Sequence, residues 1–196
     1  MGMAETVDNN DTFVTGEELY RRYINGDEAA FEELVELYER DLTMFLYGIT
    51  KDYHEAKHLM IDTFAQLVIS KGQFAGKSLL KTYIFTIGKN LALRAIKLRR
   101  HNQHIDYDML AETVSSNENL EVLVEQNENK EYLHKTMKTL KEEYRIVLEL
   151  LYFNDMSYSE AGMVMGKNEK QITNLAYRAK LSLKKKLEGS GFKLNL

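Results

Sequence analysis

The sequence predicts an all-α protein of two small helical domains joined by an acidic, flexible linker. Three observations carry that expectation. Proline is absent from all 196 residues, although it makes up about 5% of average sequences, and turn-rich β folds use it freely. Apolar residues recur at helical spacing over long stretches, while strand-like alternation persists nowhere. Between two such stretches, His101 to Asn129 has no sustained apolar face, contains Ser115-Ser116-Asn117 and is acidic from Asp106 to Glu128. The expected organisation is a disordered tail at 1–16, a helical domain at 17–102, a linker at 103–130 and a second helical domain at 131–190.

Helical patterning begins near Gly16. Asp27 is suited to cap a long helix, with Glu28 favoured by the dipole of its first turn. Phe31, Leu34, Val35, Tyr38, Leu42, Phe45, Leu46 and Ile49 then form one apolar face. Asp52 to Lys71 repeats the pattern with Leu59, Met60, Phe64, Leu67 and Val68. Lys71 to Gly76 reads as a loop, and Ser78 as the cap of a third helix facing inward through Leu80, Ile84, Ile87, Leu91 and Ala95. After the linker, periodicity resumes near Glu131, runs through Leu140, Val147, Leu150 and Leu151, and breaks at Asn154-Asp155.

The net charge of −4 conceals a strong alternation. Residues 1–76 carry 6 basic and 15 acidic side chains, and residues 77–105 carry 7 basic and no acidic ones. Residues 106–166 return to 5 basic against 13 acidic, and residues 167–196 to 8 against 2. Two compact basic blocks in an acidic chain suit two contacts with a polyanion.

The second basic block coincides with a helix-turn-helix pattern. Ser157 and Glu160 have capping-box spacing, Gly166 suits a helix C-cap, and Glu169 to Leu187 forms a second helix with Ile172, Leu175, Ala176, Ala179 and Leu183 inward. Small Ala161 before the turn and branched Ile172 after it allow two helices to cross closely. The outward candidates are Lys167, Lys170, Gln171, Thr173, Asn174, Arg178 and Lys180. Amide side chains can pair with adenine, and cations reach guanine or phosphate, when such a helix enters the major groove. In the first block, Lys81, Lys89, Arg94, Lys97, Arg99 and Arg100 are interleaved with Tyr83 and Phe85. Cations with aromatics suit a partly single-stranded nucleic acid.

These segments, in this order, resemble a bacterial RNA polymerase sigma factor of the extracytoplasmic-function group. Gly26 to Phe31 is similar to the opening of the first conserved helix of sigma region 2. His58-Leu59-Met60-Ile61-Asp62-Thr63-Phe64 stands where the family carries its polymerase-clamp run, with His58 and Ile61 replacing the usual acidic and Gln residues. Thr82 to Ala92 resembles the family's Trp-Leu-x-x-Ile-Ala-x-Asn stretch, with Tyr83 in place of Trp. Ser157 to Ala161 and Tyr177-Arg178-Ala179-Lys180-x-x-Leu183 resemble region 4.

The resemblance implies an initiation factor, not an enzyme, that binds core RNA polymerase at its clamp and flap and directs it to promoter DNA. His58, Leu59, Ile61, Asp62 and Phe64 would contact the clamp. Phe74, Lys77, Ser78, Lys81, Tyr83, Lys89, Asn90, Arg94, Lys97, Arg99 and Arg100 would engage the melted minus-ten element. The outward face of the last helix would read the minus-thirty-five duplex. Family members are often held by an anti-sigma partner, though no residue identifies one. The start of the chain is acidic and polar, unlike a signal peptide, and a cytoplasmic setting is expected. The alternative reading is a two-domain helix-turn-helix regulator that does not recruit polymerase.

No cofactor or metal is expected. Cysteine is absent, which excludes thiol chemistry and cysteine zinc sites. His54 and His58 share a helix face at metal-ligand spacing but lack the Glu of a His-Glu-x-x-His motif and a nearby third ligand. No glycine-rich phosphate loop or nucleophile motif appears in the sequence.

Overall fold

The computed structural model describes residues 14–105, 133 and 135–189, and every described regular element is helical. The first lobe consists of α1 (Gly16–Ile24), α2 (Ala29–Thr50), α3 (Tyr53–Ile69) and α4 (Leu80–Ile105). The second has a helical segment at 135–138, α5 (Glu142–Leu148) continuing into a π-helical turn (Glu149–Phe153), α6 (Tyr158–Met165) and α7 (Glu169–Gly189). The first tail residues and, from residue 106 onward, the expected linker lie outside the described residues; Thr15 and Gly16 belong to the start of α1.

Local caps explain most helix boundaries. Thr15 Oγ1 accepts from Glu18 N at α1, and Asp52 Oδ1 accepts from Glu55 N at α3. At α2 the helix starts two residues after Asp27, yet the Asp27 carboxylate accepts from Ala30 N at 3.3 Å. Arg22 bonds the other Asp27 oxygen and holds this carboxyl below its ordinary range. At α4 the expected cap is replaced. The Ser78 hydroxyl donates to Leu79 O, and Leu80 N donates instead to Glu17 Oε1 of α1 at 2.8 Å.

The α2 face closes as its spacing predicts: Leu34, Tyr38, Leu42, Phe45, Leu46 and Ile49 are buried, with Phe31 and Val35 half-buried beside them. Two predicted inward faces are corrected. In α3, Val68 is exposed while Ala56 and Thr63 join Leu59, Met60, Phe64 and Leu67 inside. In α4, the face rotates to Leu80, Ile84, Phe85 and Ala92, leaving Ile87, Leu91 and Ala95 at its margin. Phe85 is fully buried with its ring 5.0 Å from that of Phe45, so it does not stack on bases. Burying such a side chain contributes roughly 1.5–3 kcal/mol.

The two lobes share one continuous core cluster. α4 crosses α6, and α2 meets α5 and the π-helical turn. Cations of the first lobe reach main-chain oxygens of the second: Lys89 Nζ donates to Val164 O at 2.5 Å and Lys81 Nζ to Asn154 O at 3.0 Å. In return Lys138 Nζ donates to the Tyr47 hydroxyl at 2.6 Å. Glu149 lies against Gly48 of α2, where an added Cβ would stand 3.7 Å from its Oε1.

Candidate nucleic-acid and protein-docking surfaces

The helix-turn-helix is built on capping. Ser157 and Glu160 form a reciprocal capping box at α6, and Gly166 closes it at φ 65°. Lys167 N then donates to Gly162 O. A Cβ at residue 162 would stand 2.5 Å from Lys167 O, so the close approach at this turn depends on Gly162. Ala161 and Ile172 are fully buried, as their spacing suggested, but Gly162 is the more tightly constrained small residue. A second reciprocal cap opens α7: Asn168 Oδ1 accepts from Gln171 N, and Gln171 Oε1 accepts from Asn168 N, both at 2.9 Å.

α7 buries Ile172, Leu175, Ala176 and Ala179 and exposes Lys170, Gln171, Thr173, Asn174 and Arg178. Lys167 and Lys180 are set aside from this face. Lys167 is ion-paired with Glu143 at 3.1 Å, and Lys180 Nζ sits 4.8 Å from the centre of the Tyr152 ring. The Lys180 ammonium donates to the Tyr152 hydroxyl, which raises the Lys180 pKa. Tyr177 and Leu181, 65% and 50% exposed, join the outward face. Sequence reading passed over them as site residues, although Tyr177 lies three and four positions beyond Asn174 and Thr173.

On the first lobe the structure divides the predicted nucleic-acid residues into three groups. Asn90, Arg94 and Lys97 are exposed along α4, in line with half-buried Tyr83. That stripe meets the 71–79 loop through Phe74, whose ring centre is 5.2 Å from that of Tyr83; Lys77 is exposed and Ser78 half-buried nearby. Lys81 and Lys89 form the second group and face the other lobe, where burial and then the charge of Lys167 lower the Lys89 pKa. Arg99, in the third group, turns to α3 and pairs with Glu55 at 2.5 Å. The side chain of Arg100 lies outside the described residues.

The expected clamp-binding run also divides. His58, Ile61 and Asp62 are exposed, whereas Leu59 and Phe64 belong to the core at 7% and 4% exposure. The outward side of α3 continues through Ala65, Val68 and Ile69, with Ile61 60% and Ile69 76% exposed. An apolar row of this kind, rimmed by polar side chains, suits a protein partner. Among the described residues no group of His, Cys, Asp or Glu could hold a metal ion.

Comparison with known proteins agrees with this arrangement. Residues 34–102 match the family model of Sigma-70 region 2, and residues 130–183 that of Sigma-70, region 4. The chain is 27% identical over 153 residues to the ECF RNA polymerase sigma factor SigM of Bacillus subtilis, covering 78% of this chain and 92% of that protein. It is 25% identical over 170 residues to the RNA polymerase sigma factor YlaC of the same organism, covering 82% and 94%. Its fold is similar to the sigma factor RpoE bound to the anti-sigma factor NepR from Bartonella quintana, with TM-score 0.65, 21% identity and coverage of 81% and 96%. CnrH in complex with the cytosolic domain of CnrY is similar at TM-score 0.65 and 19% identity, covering 87% and 96%. With regions 2 and 4 both matched in order and relatives aligned over nearly their whole length, the chain belongs to the sigma-70 family as an RNA polymerase sigma factor of the extracytoplasmic-function group, a transcription initiation factor rather than an enzyme.

Proposed function

We propose that each lobe carries one promoter contact and that α3 carries the polymerase contact. The observation that supports this most is the separation of two basic, exposed helix faces, one on α4 and one on α7. Lys170, Gln171, Thr173, Asn174 and Arg178 would meet the minus-thirty-five element in its major groove, where side chains near a helix start reach base edges. The stripe of Tyr83, Asn90, Arg94 and Lys97, with the Phe74–Ser78 loop, would receive the melted non-template strand of the minus-ten element, its cations neutralising phosphate. His58, Ile61 and Asp62 would dock on the clamp. Lys81 and Lys89, engaged between the lobes, would reach DNA only after the lobes separate.

The family assignment favours a cytoplasmic location, and no described helix is long and apolar enough to cross a membrane. Two proteins of similar fold are bound to partners, one of them named as an anti-sigma factor. We infer an anti-sigma partner for this chain as well. The test of the DNA assignment is binding to promoter duplex by Lys170→Ala with Arg178→Ala. Each lost phosphate contact should reduce the slope of log affinity against log salt by about 1. Unchanged binding at every salt concentration would remove α7 from the interface.

A further inference from the structure

We propose that Glu17 and Tyr20 of α1 are positioning residues that hold the 71–79 loop in the form that receives the melted strand. The inference rests on the proposed role of that loop and extends it to a helix outside both matched family regions. The loop has no regular structure. Its two ends are nevertheless held from the same side. Gly72 N donates to the Tyr20 hydroxyl at 3.3 Å, and Leu80 N donates to Glu17 Oε1 at 2.8 Å. Between them the Phe74 ring meets Tyr20 edge-on at 5.7 Å and continues to Tyr83 at 5.2 Å. Lys71 Nζ adds a contact 4.1 Å from the centre of the Tyr23 ring. Glu17, Tyr20 and Tyr23 recur one helical turn apart, so a single face of α1 grips the start, middle and end of the loop.

The grip orients the proposed strand contacts. Phe74 packs against both Tyr20 and Tyr83, and Lys77 and Ser78 leave the loop within three residues of the Glu17 anchor at Leu80. An ordered loop binds a flexible strand without bearing the entropy of ordering both partners. Glu17 also does what the local sequence does not, since the Ser78 hydroxyl is turned to Leu79 O. α1 stays docked without either contact: Leu19 and Tyr23 are buried, and Arg22 ties the helix to Asp27 and Glu33.

The test uses full-length protein bound to cognate core polymerase, and a short labelled single strand selected by the wild-type holoenzyme from a randomised pool. Glu17→Ala and Tyr20→Phe should each weaken binding of this strand by about tenfold, the loss expected for one released backbone contact. Core affinity and duplex binding through α7 should stay unchanged, and amide exchange across 71–80 should accelerate. Glu17→Gln should bind like wild type, because its amide oxygen still accepts from Leu80 N. Wild-type strand binding by both Glu17→Ala and Tyr20→Phe would overturn the proposal, as would a Glu17→Gln loss equal to that of Glu17→Ala. Lys77→Ala separates the two readings. If it weakens strand binding while the α1 variants do not, only the positioning role is wrong; if none of them does, the loop assignment falls and the proposal with it.

Discussion

Glu149 shows how one residue ties the stability of the fold to pH. It is buried at the contact with α2, and this desolvation lifts its carboxyl to about 7 from an ordinary 4.5, only partly opposed by the charge of Arg145. The folded protein therefore holds a proton that the unfolded chain releases between these values. Stability from this proton is complete below about pH 4.5 and is lost as pH rises through 7. Chemical denaturation should show stability falling across that window, and Glu149→Gln should flatten the fall and add about 1–3 kcal/mol at pH 8. A second residue-scale prediction concerns the turn before α7. Gly162→Ala forces a Cβ against Lys167 O and should cost about 1–3 kcal/mol, read as a lowered denaturation midpoint. Equal stability would show that the turn can widen.

At the scale of elements, the proposed contacts are distributed by helix face. α3 presents His58, Ile61, Asp62, Val68 and Ile69 outward while Leu59 and Phe64 hold it to the core. Ile61→Glu should abolish core polymerase binding in a pull-down and leave the melting temperature within a few degrees of wild type, since surface changes usually cost about 0.5 kcal/mol or less. At the start of α7, Gln171, a proposed base contact, also caps its own helix. Its Oε1 already accepts from Asn168 N, so pairing with adenine through both amide atoms would share that oxygen between the cap and the base. Gln171→Glu keeps the capping oxygen and removes the amide donor. Promoter-duplex binding should weaken while α7 stays intact by circular dichroism.

Legibility followed the range of the interaction. The apolar face of α2, the capping box of α6 and the buried side of α7 are set by neighbours in sequence and were readable from spacing alone. Where a distant segment decides, spacing failed. Ser78 looks like a cap, but Glu17 performs the task from 63 residues away. The inward face of α4 turned toward Phe85 and Ala92 because α2, α3 and α6 all contact it. Lys81 and Lys89 had the composition of phosphate contacts, and nothing local marks them as donors to the other lobe.

For the whole molecule, the contact between the lobes is the consequential feature. Lys89 and Lys81 join α4 to the second lobe, and Lys138 returns the contact to α2. Promoter contacts by Lys81 and Lys89 would have to compete with this closed arrangement. Lys89→Met removes the donor to Val164 O and should lengthen the distance between fluorophores placed on α3 and α7; an unchanged distance would show that apolar packing alone holds the lobes. The most direct test of promoter-directed initiation is run-off transcription by cognate core polymerase on a genomic promoter library, with and without the protein. Transcripts that appear only with it, and share two spaced upstream elements, are the predicted result. Core polymerase that binds neither the protein nor new promoters in its presence would contradict it.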